Sequence, residues 1–254
     1  MKVGFIMAFK KSFSAFSFKI LKELVRWFSP KFKVEGAENL PEDACIIVGN
    51  HSQLYGPIAC ELYSPRKRRT WCAGEMMHKE EVAAYAFQDF WSQKPKWTHP
   101  WFKLLSHLIV PFSLCLFNNA ETIEVYHDTR LIGTIRKTIA ELTSGTDIVI
   151  FPEKDAPGNH ILYAFQDKFV DVARFYYRKT HKAFSFVPLY IAPHLKTMYY
   201  GKPIAFDPTQ PIDEERAHII AYLRDEITKQ AESLPLHTVV PYRNIPKKLY
   251  PKNK

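Results

Sequence analysis

From Lys33 onward the chain alternates short apolar runs with longer amphipathic stretches. Ala44–Val48 (ACIIV), Asp147–Phe151 (DIVIF) and Ser185–Ile191 (SFVPLYI) are apolar at consecutive positions. Runs this short and this uniform predict strands covered on both faces of a sheet. Thr122–Val125 predicts a further strand. Leu131, Ile135, Ile139 and Leu142 recur at helical spacing and stop before Gly145, which predicts a helix over 131–142. Pro57–Tyr63 and Ala164–Tyr177 also read as helical. Asp213–Leu234 opens on Asp213, Glu214 and Glu215, charges that suit a helix N-terminus, and runs amphipathically to Pro235. Strands alternating with helices predict an α/β fold, a mixed but mostly parallel sheet flanked by helices. No repeat or linker interrupts 34–242, so one α/β domain is expected there, between a segment at 1–33 and a basic tail at 243–254.

Upstream the pattern changes. Phe9, Phe13, Phe16, Ile20, Leu24 and Trp27 share one helical stripe, widened by Phe5, Phe18, Leu21 and Phe28. Lys10, Lys11, Lys19, Lys22 and Arg26 interrupt every apolar run. A membrane-spanning helix needs about 20 apolar residues, and a signal peptide needs a long uncharged stretch before its cleavage site. Neither is expected. The expected form is an amphipathic helix lying in a membrane interface, with a helix capping the domain's own core as the alternative. Pro30 ends it. Leu104–Phe117 carries no formal charge, but at 14 residues with Pro111 inside it is too short to span. It reads as a buried helix-turn-strand segment, the alternative being a patch that dips into lipid.

Composition narrows the function. Across 254 residues the net charge is +9, unevenly placed. Residues 1–34 hold eight Lys or Arg against one acid, residues 243–254 five against none, and the 208 residues between them sum to −3. A slightly acidic body argues against nucleic acid as a partner. Basic ends suit anionic membrane lipids, worth about 1 kcal/mol per Lys or Arg near the surface, and place the protein on the cytoplasmic side of the cell membrane, peripheral or monotopic. Cys45, Cys60, Cys72 and Cys115 form no CxxC pair, so free thiols in a reducing compartment are expected. His78, His160 and His194 share no ligand spacing, so neither a metal nor a cofactor is expected. The basic run Arg66–Arg69 has two readings, a contact for phosphates or an acidic partner, or a solvated face.

In such sheets chemistry gathers at the C-terminal ends of strands. Gly49-Asn50-His51 follows ACIIV, and Pro152-Glu153-Lys154-Asp155 follows DIVIF. A histidine and a carboxylate would therefore leave buried strands at the same edge.

At these residues the sequence resembles the glycerophospholipid acyltransferase superfamily, whose members acylate lysophosphatidic acid and related acceptors. The family's V-x-G-x-E-N-L-P lead-in is matched by Val34-Glu35-Gly36-Ala37-Glu38-Asn39-Leu40-Pro41, and its N-H-x-x-x-x-D motif by Asn50-His51. Its F-P-E-G-T-R-S block is matched by Phe151-Pro152-Glu153, and its V-P-V-x-I block by Val187-Pro188-Leu189-Tyr190-Ile191. Its F-K-K-G-x-x-x-x-A stretch is echoed by Phe165 and Ala173, with Lys168 at the glycine. The order holds over roughly residues 33–205.

The resemblance implies an acyltransferase-like fold and acyl transfer from a thioester, acyl-CoA or acyl-carrier protein, to a lysophospholipid-like hydroxyl. His51 would be the general base, suited by an ordinary pKa of about 6.5. Asn50, Gly56, His127, Glu153 and Lys154 would fall at the substrate-binding positions. Three departures bear on the chemistry. The motif's aspartate is Gly56, its Gly-Thr-Arg is Lys154-Asp155-Ala156, and its phosphate-binding arginine falls at His127. Losing the orienting carboxylate of a catalytic triad can cost about 10⁴ in kcat. Glu61 and Asp155 are the expected substitutes. The competing reading is an inactive member of the fold that binds lipid or acyl chains.

Overall fold

The structure is a computed structural model that describes residues 16–92, 94–120, 122–126 and 128–254. The expected stripe residues Phe5, Phe9 and Phe13 and the candidate His127 lie outside the described residues. In chain order the elements are helix α1 (16–28), strand β1 (Lys33–Glu35), β2 (Ile46–Gly49), α2 (Tyr55–Tyr63), β3 (Arg68–Ala73), α3 (Lys79–Ala86), α4 (His99–Leu108) and α5 (Val110–Asn119). Then follow β4 (Thr122–Val125), α6 (Leu131–Thr143), β5 (Asp147–Ile150), α7 (Asp171–Thr180), β6 (Ser185–Ala192), β7 (Thr197–Tyr200), β8 (Ile204–Ala205) and α8 (Ile212–Ser233). They form two compact units, 1–29 with 71–134 and 30–70 with 135–254.

The unit of 30–70 and 135–254 carries the expected α/β sheet, in the order β1-β7-β6-β2-β5-β3. β1 pairs β7, β2 pairs β6 and β5, and β5 pairs β3, all parallel. β7 and β8 run antiparallel to β6. β2 and β5 are buried along their whole length, and β6 at all but its first residue, because both faces are covered. Ile47, Val149, Val187, Leu189 and Ile191 meet Ala59 and Cys60 of α2 on one side. On the other, α8 packs on β6 through a stripe that includes Ile219, Leu223 and Ile227, all 1% exposed or less. Each such aliphatic side chain contributes about 1.5–3 kcal/mol. β3 begins in this unit and was not foreseen, since its first residues belong to the arginine run. The helix expected over 164–177 begins only at Asp171, after a short 3-10 turn at Lys168–Val170. Residues 164–166 instead pair with 152–154, through Lys154 N to Ala164 O (2.8 Å) and Gln166 N to Pro152 O (2.7 Å).

Among its described residues, from Phe16 on, the other unit is helical around β4. α1 covers the described end of the expected stripe, and it ends just before Pro30, whose ring disfavours helical backbone at Ser29. Its stripe is not buried, for Phe16, Ile20 and Leu24 are about half exposed and Trp27 is 83% exposed. The buried helix-turn-strand reading of 104–117 is overturned. The segment is the end of α4 and most of α5, two helices bent by 45° at Ile109, with Pro111 in the first turn of α5. Leu104, Leu108 and Phe112 are more than half exposed, with Trp97 and Trp101 beside them in sequence and more exposed still. Among the described residues no single helix is long and apolar enough to cross a membrane.

Candidate active site

Asn50 ends the ladder of β2. It is 2% exposed and uses its whole amide, since Oδ1 accepts from Ile191 N (2.7 Å) while Nδ2 donates to Ile191 O (3.0 Å) and Ser52 Oγ (2.7 Å). The chain then turns sharply. Ser52 and Gln53 both take left-handed φ, 45° and 56°, which non-glycine residues adopt only when their surroundings hold them. His51 sits between the clamp and the turn, its ring edge-on to Phe151 (5.4 Å between centroids) and to Tyr242 (5.7 Å).

Glu153 leaves the neighbouring strand β5 at the same edge, as the sequence predicts. It is 3% exposed and is pinned by its antiparallel bridge to Phe165. Its Oε1 accepts from the backbone N of His51 (2.6 Å) and its Oε2 from that of Tyr163 (3.0 Å). The carboxylate therefore reaches the histidine's amide and not its ring. Burial pushes the carboxyl up to about 7, against the pull of the two amides. Burial likewise lowers the His51 imidazole below its ordinary value, opposed by backbone groups at Gln53 and His51 itself. An imidazole held below its ordinary pKa and a buried carboxyl pushed up to about 7 thus belong to two residues joined by one backbone hydrogen bond.

No carboxylate orients the ring through Nδ1. That nitrogen is buried and makes no hydrogen bond among the described residues. The expected substitutes are engaged elsewhere. Glu61 is ion-paired with Arg68, which also donates from Nε to Cys60 O (3.0 Å). Asp155 is exposed and paired with Arg243, Nε to Oδ1 at 3.1 Å. Nor is Gly56 a vacant seat for the motif's aspartate. A Cβ there would lie 2.5 Å from His51 O and 3.0 Å from both Asn50 O and Phe151 Cε1. Gly56 N also donates to His51 O (3.1 Å), so the start of α2 is drawn against the turn.

Lys154 is exposed, and its backbone N serves the pairing with Ala164. In the basic run the three arginines carry acid partners, while Lys67 is exposed. Arg66 forks onto Asp147 (2.9 and 2.7 Å), Arg68 pairs with Glu61, and Arg69 pairs with Glu141 (2.9 Å). All four cysteines are free, and burial pushes the Cys60 thiol up to about 12, far from a nucleophile's range. Among the described residues no group of three His, Cys, Asp or Glu could hold a metal ion.

The tail expected at 243–254 as a separate basic segment folds back on the unit instead. Thr238 bridges Lys252, and Val239 N donates to Pro251 O (2.9 Å). Asn253, fully buried, accepts from His237 N (2.8 Å) and donates to Ala231 O (2.8 Å). Gln53 Nε2 donates to Tyr250 OH (2.9 Å), which ties the turn after His51 to this strap. Tyr242 and Tyr250 are site residues that the sequence reading missed. The positive charge of 243–254 points to its lysines and hides Tyr250 among them and Tyr242 just before them.

No family model matches the chain, and no curated protein matches it. Among solved structures, the chain is similar to the 1-acyl-sn-glycerophosphate (LPA) acyltransferase PlsC of Thermotoga maritima. The two are 14% identical, with a TM-score of 0.49, over 89% of this chain and 84% of that one.

Proposed function

We propose that this chain is an acyltransferase that moves an acyl group from a thioester, acyl-CoA or acyl-carrier protein, to the hydroxyl of a lysophospholipid-like acceptor. One observation carries the reading. His51 and Glu153, the residues at which the N-H and F-P-E blocks match, leave adjacent parallel strands at one edge and are joined by a 2.6 Å hydrogen bond. His51 takes the acceptor's proton as its oxygen attacks the thioester carbonyl. The carbon–sulfur bond then breaks, and the imidazolium returns the proton to the departing thiolate. An imidazole whose pKa is lowered by burial is unprotonated at neutral pH and ready for the first step. Glu153 fixes the backbone from which the base projects. In His51→Ala, thiol release from acyl-CoA with lysophosphatidic acid should fall at least about 100-fold. Undiminished release would remove His51 from the mechanism.

The second reading, a lipid- or acyl-binding protein without turnover, draws on the unpartnered Nδ1 and the closed space at Gly56. Wild-type protein that releases no thiol with several donors and acceptors, yet binds them, would favour it. Membrane association is supported by the exposed aromatic stripe of α1 and its interleaved lysines, and by the exposed apolar residues of α4 and α5. Removal of residues 1–30 should weaken binding to anionic vesicles, and binding by the intact chain should fall as salt rises.

A further inference from the structure

His51 is a candidate base without the carboxylate that would turn its ring, and the seat at Gly56 is closed by His51's own carbonyl. The ring's neighbours are aromatic. Phe151 holds it from the end of β5 and Tyr242 from the C-terminal strap, both edge-on. We propose that Tyr242 is a positioning residue for His51, supplying by ring packing the orientation that the resembled motif takes from its aspartate. The proposal rests on His51 being the base of the reaction.

The strap is anchored on both sides of Tyr242. Upstream, His237 is buried, with its Nε2 against Tyr190 OH (2.8 Å) and its Nδ1 against Pro235 O (2.7 Å). Downstream, Tyr250 accepts from Gln53, and Asn253 locks the end of the chain beneath α8's last turn. The ring of Tyr242 also lies 5.9 Å from that of Tyr163, the residue whose amide holds Glu153. One aromatic row thus runs from Tyr163 through Tyr242 and His51 to Phe151, at centroid spacings of 5.4 to 5.9 Å. Such edge-to-face contacts restrict a ring's rotation without a hydrogen bond. Glu153 is directed at the amides of His51 and Tyr163, and Arg243, next in sequence to Tyr242, is paired with Asp155. Burial holds the His51 imidazole below its ordinary value, opposed by the backbone at Gln53 and His51, and Tyr242 is one of the two rings packed on it.

The test is a histidine-resolved NMR titration of the full chain, paired with acyl-transfer kinetics using acyl-CoA and lysophosphatidic acid. Tyr242→Phe, the conservative variant that keeps the ring, should rescue His51's titration and kcat relative to Tyr242→Leu. Tyr242→Leu should move the titration up toward about 6.5 and lower kcat about 10–100-fold with KM unchanged. A folded Tyr242→Leu protein with unaltered titration and kcat would overturn the proposal. Tyr250→Phe, which only unties the strap from Gln53, should give a smaller shift in the same direction and serves if Tyr242→Leu does not fold. A titration shift in Tyr242→Leu with no acyl transfer by the wild type overturns the activity and leaves the clamp standing. Undiminished transfer by Tyr242→Leu overturns the clamp and leaves the activity standing.

Discussion

Two buried carboxylates bracket β5, and they are treated in opposite ways. Asp147, at the start of the strand, is 2% exposed and fully answered. Arg66 forks onto it, and the amide of Cys45 donates to it (3.0 Å). Glu153, beyond the other end, is 3% exposed and no cation among the described residues pairs with it. Two amides hold it, and burial drives its carboxyl up to about 7. At the N-terminal edge of a parallel sheet a carboxylate can be spent on architecture. At the C-terminal edge, where such sheets gather their chemistry, an unneutralised carboxyl near neutrality can exchange a proton or steer a neighbour.

The contrast can be broken at either end. Asp147→Ala strands the Arg66 guanidinium and should lower unfolding free energy by about 3 kcal/mol. That is the low end for broken buried pairs, because the Arg66 side chain is 32% exposed. A urea melt measures it, and a loss well under 1 kcal/mol would deny Asp147 its anchoring role. Glu153→Gln tests the other end through pH. A carboxyl raised in the folded state stabilises below its unfolded pKa, and that contribution is lost as pH rises through the folded one. Wild-type stability should therefore decline relative to Glu153→Gln between about pH 4.5 and 7, on the order of 1–3 kcal/mol. Parallel pH profiles would mean that Glu153 carries an ordinary pKa. Asp155→Asn, at an exposed pair, should lose less than about 1 kcal/mol. A larger loss in thermal melts would make the Arg243 contact a main anchor of the strap.

Much of this site was readable in the chain. β2, β5 and β6 stand out because strands buried on both faces must be apolar throughout, and Asn50, His51 and Glu153 follow directly from where two of them end. What escaped the reading depends on distance in sequence. Tyr242 lies 191 residues beyond His51, and nothing local marks it as a neighbour. β3 was hidden because its arginines find half-buried acid partners, Arg68 on Glu61 and Arg69 on Glu141. Leu104–Phe117 was misread as buried because hydropathy does not say whether an apolar face meets protein or something else. Gly56 looked like a lost aspartate in the sequence, whereas in the fold it is a close approach between the first turn of α2 and the carbonyl of His51.

Asn50 has one more consequence. β2 and β6 run as a parallel ladder up to Gly49 and Leu189, where the main chain of β2 must leave if His51 is to swing away from the sheet. An amide side chain offers the same acceptor and donor as a peptide unit, and Asn50 presents both to Ile191. The ladder is thus extended by one rung that belongs to no backbone. The main chain is released to make its left-handed turn while β6 remains paired, so the sheet does not fray where the histidine departs. A carboxylate of the same shape could accept from Ile191 N but could not donate to its carbonyl, so an asparagine can act as this surrogate peptide and an aspartate cannot.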